Sequence, residues 1–197
     1  MKILYSDNDI IVCIKPVGTD SEKGMPEELK KDFKGEIFTL HRLDQNVGGV
    51  MVYARNKRTA AEFSRLIRNG GMIKEYIARV HGIPPESGDW EDLLWKDSKK
   101  NKVYVVDRER KGVKRARLEF TRLNAGECSD VRIRLHTGRS HQIRVQFASR
   151  GYMLFGDHKY GAKDDFSAPM LWSYKLTFPY KRKTVSFEAN PDWDNFV

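Results

Sequence analysis

The feature that most restricts how this chain can fold is a strict period of two. Ala116, Leu118 and Phe120 alternate with Arg117 and Glu119, and Val131, Ile133 and Leu135 alternate with Arg132, Arg134 and His136. Successive side chains of a strand point to opposite faces, so each run is a strand with one face in a core and the other in water. Shorter apolar runs at 3–5, 10–14, 50–54, 76–80 and 103–106, and a closing pair at 170–178 and 183–188, add further strands. Ser6-Asp7-Asn8-Asp9 supplies turn chemistry between the first two, which read as a hairpin. Lys15-Pro16-Val17-Gly18 ends the second strand, because proline cannot continue a central ladder.

Helical signals are few. Pro26 suits the first turn of a short helix, with Leu29 and Phe33 on one face and Gly35 as its stop. Asn56 can cap a helix carrying Ala60, Phe63, Leu66 and Ile67 on one side, with Arg58, Glu62, Arg65 and Arg68 mostly on the other. A third helix is expected over 141–149, after the turn at Thr137-Gly138. Residues 19–25 read as a loop, and 84–101, with two prolines and many charges, as a long surface excursion. Strands and helices do not alternate regularly, which argues against a doubly wound parallel sheet. The pattern predicts an α+β fold: one domain over residues 1–197, with a mixed, mainly antiparallel sheet and a few flanking helices. No repeat, low-complexity segment or linker interrupts it.

Lysine and arginine outnumber aspartate and glutamate by 36 to 27, a net charge of +9. Such an excess favours polyanionic partners. A membrane is the weaker of these, since no apolar run approaches the roughly 20 residues that span a bilayer. The first residues turn acidic too soon for a signal peptide. Cys13 and Cys128 have no metal-ligand spacing, and Cys13 sits in an apolar run, a pattern suited to a reducing cytoplasm.

Three segments concentrate chemistry. In His41-Arg42-Leu43-Asp44-Gln45-Asn46-Val47-Gly48-Gly49 an acid follows two basic residues and precedes a glycine pair. Taken alone it could be a polar loop with a solvated aspartate. In Lys74-Glu75-Tyr76-Ile77-Ala78-Arg79-Val80, Tyr76 could be core, or a stacking platform whose hydroxyl exchanges a proton. Leu135-His136-Thr137-Gly138-Arg139-Ser140-His141-Gln142-Ile143-Arg144-Val145 places two arginines, two histidines and a glutamine in a strand-turn-helix suited to phosphate, or simply a basic turn. His136 and His141 lack the helical spacing of a metal pair.

Together these segments resemble the RluA-type family of RNA pseudouridine synthases. That family's His-Arg-Leu-Asp motif matches His41 to Asp44, its Lys-x-Tyr strand matches Lys74-Glu75-Tyr76, and its Thr-Gly-Arg-x-His-Gln-Ile-Arg motif matches Thr137 to Arg144. Its Lys-Pro-x-Gly matches Lys15 to Gly18, and its closing glycines match Gly151, Gly156-Asp157 and Tyr160-Gly161. Val47 and Gly48 depart from the family's Thr and Ser. The first motif begins at residue 41, so the small N-terminal RNA-binding domain of many relatives is expected to be missing. RNA recognition would then rest on the catalytic domain and its central cleft.

The resemblance implies isomerisation of selected uridines in ribosomal or transfer RNA. The bond from ribose to a ring nitrogen breaks, the base turns, and the ribose re-attaches at a ring carbon. Nothing is oxidised, so no cofactor and no metal is expected, and the sequence offers no dinucleotide fingerprint, phosphate loop or zinc pattern. The family implies Asp44 as the carboxylate acting at the ribose and Arg144 as its ion-pair partner. It implies Tyr76 as the ring stacked on uracil, with Ile143 and Val145 as apolar packing. Extruding the uridine costs a few kcal/mol. Arg42 resembles the arginine that fills the vacated space, with His41, Arg139, His141 and Gln142 as candidate RNA-backbone contacts. Lys57, Arg58, Arg65 and Arg68 either extend that surface or form an ordinary solvated helix face. Structured RNA is the expected partner, of a monomer with no obligatory protein partner. The rival readings are a non-catalytic RNA-binding protein of the same fold, a glycoside hydrolase and a DNA-binding protein. The hydrolase needs two carboxylates about 5–10 Å apart, and no pattern pairs Asp157 with Asp44; the DNA-binding protein needs a helix-turn-helix or finger that is missing.

Overall fold

The computed structural model describes residues 1–193. Those residues divide into two compact units: 1–74 with 172–191, and 75–171 with the residues from 192.

The first unit is built on β4 (Gly48–Ala54), buried along its whole length. β1 (Ile3–Ser6) and β2 (Ile10–Lys15) form the expected hairpin, and β2 pairs antiparallel with β4 from Ile10↔Ala54 to Lys15↔Gly49. Asp7 makes the hairpin turn rigid: its Oδ1 accepts the amides of Asp9 (2.8 Å) and Ile10 (2.9 Å). β10 (Leu171–Tyr180) runs parallel to β4 through Trp172↔Gly48 and Ser173↔Gly49, and β11 (Lys183–Glu188) pairs antiparallel with β10. A two-residue strand, β3 (Phe38–Thr39), also pairs with β4 and is too short to leave a periodic signal. α1 (Gly24–Asp32) buries Met25, Pro26 and Leu29. α2 (Lys57–Arg68) begins at Asn56, whose side chain accepts the Thr59 amide at 2.9 Å, the cap the sequence predicts. Its Phe63 meets Phe178 edge-on at 5.2 Å, within a core of Ile10, Val12, Val50, Val52 and Leu176.

The second unit carries strands in the order β5-β9-β8-β6-β7, in which β9 with β8, β8 with β6 and β6 with β7 pair antiparallel. β5 is Ile73–His81, β8 Val113–Arg122 and β9 Cys128–Leu135, where the period-two runs lie. The excursion expected over 84–101 is instead largely β6 (Ser87–Asp97), paired antiparallel with β8 from Ser87↔Thr121 to Trp95↔Val113 and with β7 (Lys102–Val106). Its charges conceal a strand because they fall on both faces. Asp92 shares the inward face with Trp90 and Leu94, and there its carboxylate accepts from Gln146 (2.7 Å) and Arg150 (2.8 Å). α3 (Gln142–Ala148) covers that face: Phe147 stacks edge-on against Trp90 and Phe120 at 4.8 and 5.3 Å. The architecture is the expected mixed, mainly antiparallel α+β fold. No helix among the described residues is long and apolar enough to cross a membrane.

Candidate active site

In the first unit, Asp44 is half-buried at the head of a tight turn that the Val47 amide closes onto the Asp44 carbonyl at 2.9 Å. The turn is tied down from several sides. The Ser21 hydroxyl donates to the Leu43 carbonyl (3.1 Å), and the Gly18 amide and Gln45 carbonyl meet at 2.9 Å. Lys15, fully buried at the end of β2, donates from Nζ to the carbonyls of Pro16 (3.0 Å), Thr19 (2.7 Å) and Gln45 (3.0 Å). Burial pulls its ammonium down to about 8, against the opposing pull of the Asp20 and Asp44 carboxylates. Sequence inspection treats Lys15 only as part of a strand-ending motif. Its cradle of carbonyls becomes visible only when the 16–19 and 45 backbones are seen together.

The two departures from the family pattern have a physical explanation here. Val47 is 2 % exposed, so the replaced threonine hydroxyl would be buried. A Cβ on Gly48 would lie 2.4 Å from Cζ3 of Trp172, so the missing side chain makes room for that ring. Gly49 has φ +121°, and a Cβ there would meet the Ser173 carbonyl oxygen at 2.3 Å, which only glycine allows.

His41 is buried at 7 % exposure. Its Nε2 accepts the Val52 amide at 3.2 Å, so the neutral ring carries its proton on Nδ1, which has no partner among the described residues. Burial, with help from the Lys74 charge, lowers its pKa to about 3. Offered by the sequence as an RNA contact, His41 is placed by the structure as an anchor of the loop on β4. Arg42 is exposed, its guanidinium 3.0 Å from the Glu22 carboxylate.

In the second unit, Tyr76 lies on β5 at 6 % exposure. Arg144, in the first turn of α3, is 7 % exposed and gripped by Asp157 through two parallel hydrogen bonds of 2.7 Å, from Nε to Oδ2 and from Nη2 to Oδ1. Planar fork-to-carboxylate pairing fixes the guanidinium in orientation as well as charge. Its Cζ also stands 5.2 Å over the Tyr160 ring. The Tyr160 hydroxyl lies 2.9 Å from His141 Nδ1 and accepts the Val103 amide at 2.9 Å. His141 has φ 50°, a left-handed conformation that costs a non-glycine residue about 1–3 kcal/mol.

Gln142 is 3 % exposed and fully engaged: Oε1 accepts from the Thr137 hydroxyl (2.8 Å) and the Arg139 amide (3.1 Å), and Nε2 donates to the Arg117 carbonyl (3.1 Å). It is a strut beneath the turn rather than an outward hand for RNA. Arg139 is exposed, its Nε donating to the Arg115 carbonyl at 2.9 Å. Asp157 and Tyr160, which the sequence offers only as part of the family's closing motif, are thus the immediate supports of Arg144 and His141. Asp157 follows Arg144 by 13 residues in sequence, so no helical or strand period links the two.

Residues 9–149 match the family model described as RNA pseudouridylate synthase, and the chain belongs to that family. Among its relatives, the dual-specificity RNA pseudouridine synthase RluA of Escherichia coli K12 is 31 % identical over 97 % of this chain and 93 % of its own. Ribosomal large subunit pseudouridine synthase D of Borreliella burgdorferi is 31 % identical over 88 % of this chain and 60 % of its own. The fold is shared with human RNA pseudouridylate synthase domain containing 1, with a TM-score of 0.85 at 22 % identity over 96 % of this chain and 83 % of that one.

Proposed function

We propose that this chain is an RNA pseudouridine synthase in which Asp44 is the catalytic carboxylate acting at the ribose of selected uridines in ribosomal or transfer RNA. The observation that carries the reading is the 31 % identity to a dual-specificity synthase across 97 % of the chain. The His41-Arg42-Leu43-Asp44 motif and the Thr137 to Arg144 motif stand intact within it. Tyr76 serves as the ring against the uracil. Arg144, held by Asp157, supplies a fixed positive charge at the reacting centre. Arg42 occupies the gap left by the extruded base, and Arg139 and His141 contact the RNA backbone. In this reading His41 and Gln142 act behind them, by holding the two loops. Residues 1–197 serve as one catalytic domain of a cytoplasmic monomer that needs no protein partner, metal or organic cofactor.

The test is pseudouridine mapping by carbodiimide-stopped primer extension. Total RNA from a strain lacking the protein is incubated with wild type or with Asp44→Asn. Wild type is expected to add a new stop that Asp44→Asn does not. Product from Asp44→Asn at the wild-type rate would sink the assignment of Asp44. RNA binding with no new stop from wild type would favour a non-catalytic binding protein of this fold.

A further inference from the structure

The chain's positive charge is unevenly distributed. Residues 95–115 hold nine lysines and arginines against three acids, a local excess of +6 within a total of +9. They form the end of β6, all of β7, and the approach to and start of β8. Of the acids, Glu109 is neutralised by Arg115, which also meets Glu91. Lys99, Lys100, Arg108, Lys111 and Lys114 are exposed and form no ion pair among the described residues.

Aromatic rings are interleaved with these cations. Trp95 and Tyr104 are cross-strand partners on β6 and β7, half-buried, with centroids 6.2 Å apart and planes inclined at 31°. The Arg110 guanidinium stands 5.0 Å over Trp95. Lys102 lies 5.8 Å from the Tyr104 ring and 5.3 Å from the Tyr160 ring, and Tyr160 is the ring that supports His141 and Arg144. A row of rings and cations thus runs from the tip of the β6–β7 hairpin to the second unit's candidate site residues.

We infer that this strip is an RNA-docking track, in which Trp95 and Tyr104 stack on unpaired bases of the substrate and the lysines beside them take its phosphates. Every base has a π-face, so such a platform tolerates any sequence, while the charges supply affinity that falls with salt. The inference rests on the RNA-modifying reading for the identity of its ligand. It departs from that reading in placing recognition outside the residues of the family motifs.

The experiment is fluorescence anisotropy of a fluorescein-labelled RNA stem-loop with an unpaired uridine, titrated with the full chain across a range of salt. Trp95→Ala is expected to weaken binding about tenfold, within the range seen when a stacking ring is removed, while Trp95→Phe keeps most of the affinity. Lys111→Gln with Lys114→Gln is expected to lower the slope of log affinity against log salt by roughly 0.7 per lysine. These two lysines are exposed and outside the core, so they carry the test if Trp95→Ala unfolds. Affinity and salt slope unchanged in the variants that fold would overturn the inference and leave the catalytic reading untouched. Binding is read without turnover. Wild type that docks RNA here yet makes no pseudouridine would keep this inference and overturn the catalytic one.

Discussion

Gly48→Ser would restore the residue usual in the family, and the structure predicts that it damages this protein. The new Cβ would sit 2.4 Å from Cζ3 and 2.9 Å from Cε3 of Trp172, and 3.1 Å from the Lys15 carbonyl oxygen. Carbon atoms in contact prefer about 3.5–4.0 Å, so the indole must retreat by roughly 1 Å. It is not free to do so, because its Nε1 donates to the Ala189 carbonyl at 2.8 Å. Forcing a methylene into such a site costs about 1–3 kcal/mol, and losing the indole hydrogen bond roughly 1 kcal/mol more. The sum, about 2–4 kcal/mol, corresponds to a fall in Tm of roughly 4–16 °C for a chain of this size. Circular-dichroism melts of Gly48→Ser, Trp172→Leu and the double variant measure it. Trp172→Leu alone leaves a void, but in the double variant the serine gains the space, so the two penalties should be less than additive. A Gly48→Ser protein as stable as wild type, or penalties that simply add, would refute the claim that these positions are sterically matched.

Asp157→Asn breaks the buried, doubly hydrogen-bonded pair of Asp157 with Arg144 and should cost roughly 3–5 kcal/mol, read by urea denaturation; a loss below about 1 kcal/mol would mean that this pair contributes little to stability. His41 should give stability an acid limb. Its folded pKa of about 3 lies below the unfolded value of 6.5, so the unfolded chain binds the extra proton between them. The contribution is complete above pH ~6.5 and is lost as pH falls towards the folded value. Tm compared between wild type and His41→Gln from pH 7 down to pH 4 checks this; identical slopes would remove His41 as the cause.

The elements legible in the sequence were those with one uniform environment per face. Ala116 to Phe120 and Val131 to Leu135 face core and water in turn, and the Asn56 cap is local chemistry. β6 escaped because its inward face holds Asp92 next to Trp90 and Leu94, and a carboxylate facing inward is tolerable only with Gln146 and Arg150 to meet it. Those partners come from α3 and just beyond it, more than 50 residues later. The motif residues were likewise legible by type but not by posture. Nothing in the spelling of His41 or Gln142 says that each is turned inward to hold backbone, because the Val52 amide that His41 accepts lies on β4 and the Arg117 carbonyl that Gln142 bonds lies on β8. Lys15 illustrates the same limit: only three convergent carbonyls make a buried ammonium tolerable, and no pattern along the chain encodes their convergence.

The parallel pairing of β4 with β10 also sets a timetable. The first unit is closed by residues 172–191, while the second lies wholly between its two parts apart from a few terminal residues. A ribosome adding about 5–20 residues per second needs roughly 5–20 s to pass from the first part to the strand that completes it. Throughout that interval the all-apolar β4 can pair with β2 and, at Tyr53 and Ala54, with β3, but its Gly48–Gly49 end has no β10, so the nascent chain carries a partly open hydrophobic strand edge, the feature that invites pairing between chains. Slowing translation between residues 75 and 171 should therefore lower the soluble yield more than slowing it elsewhere in the message.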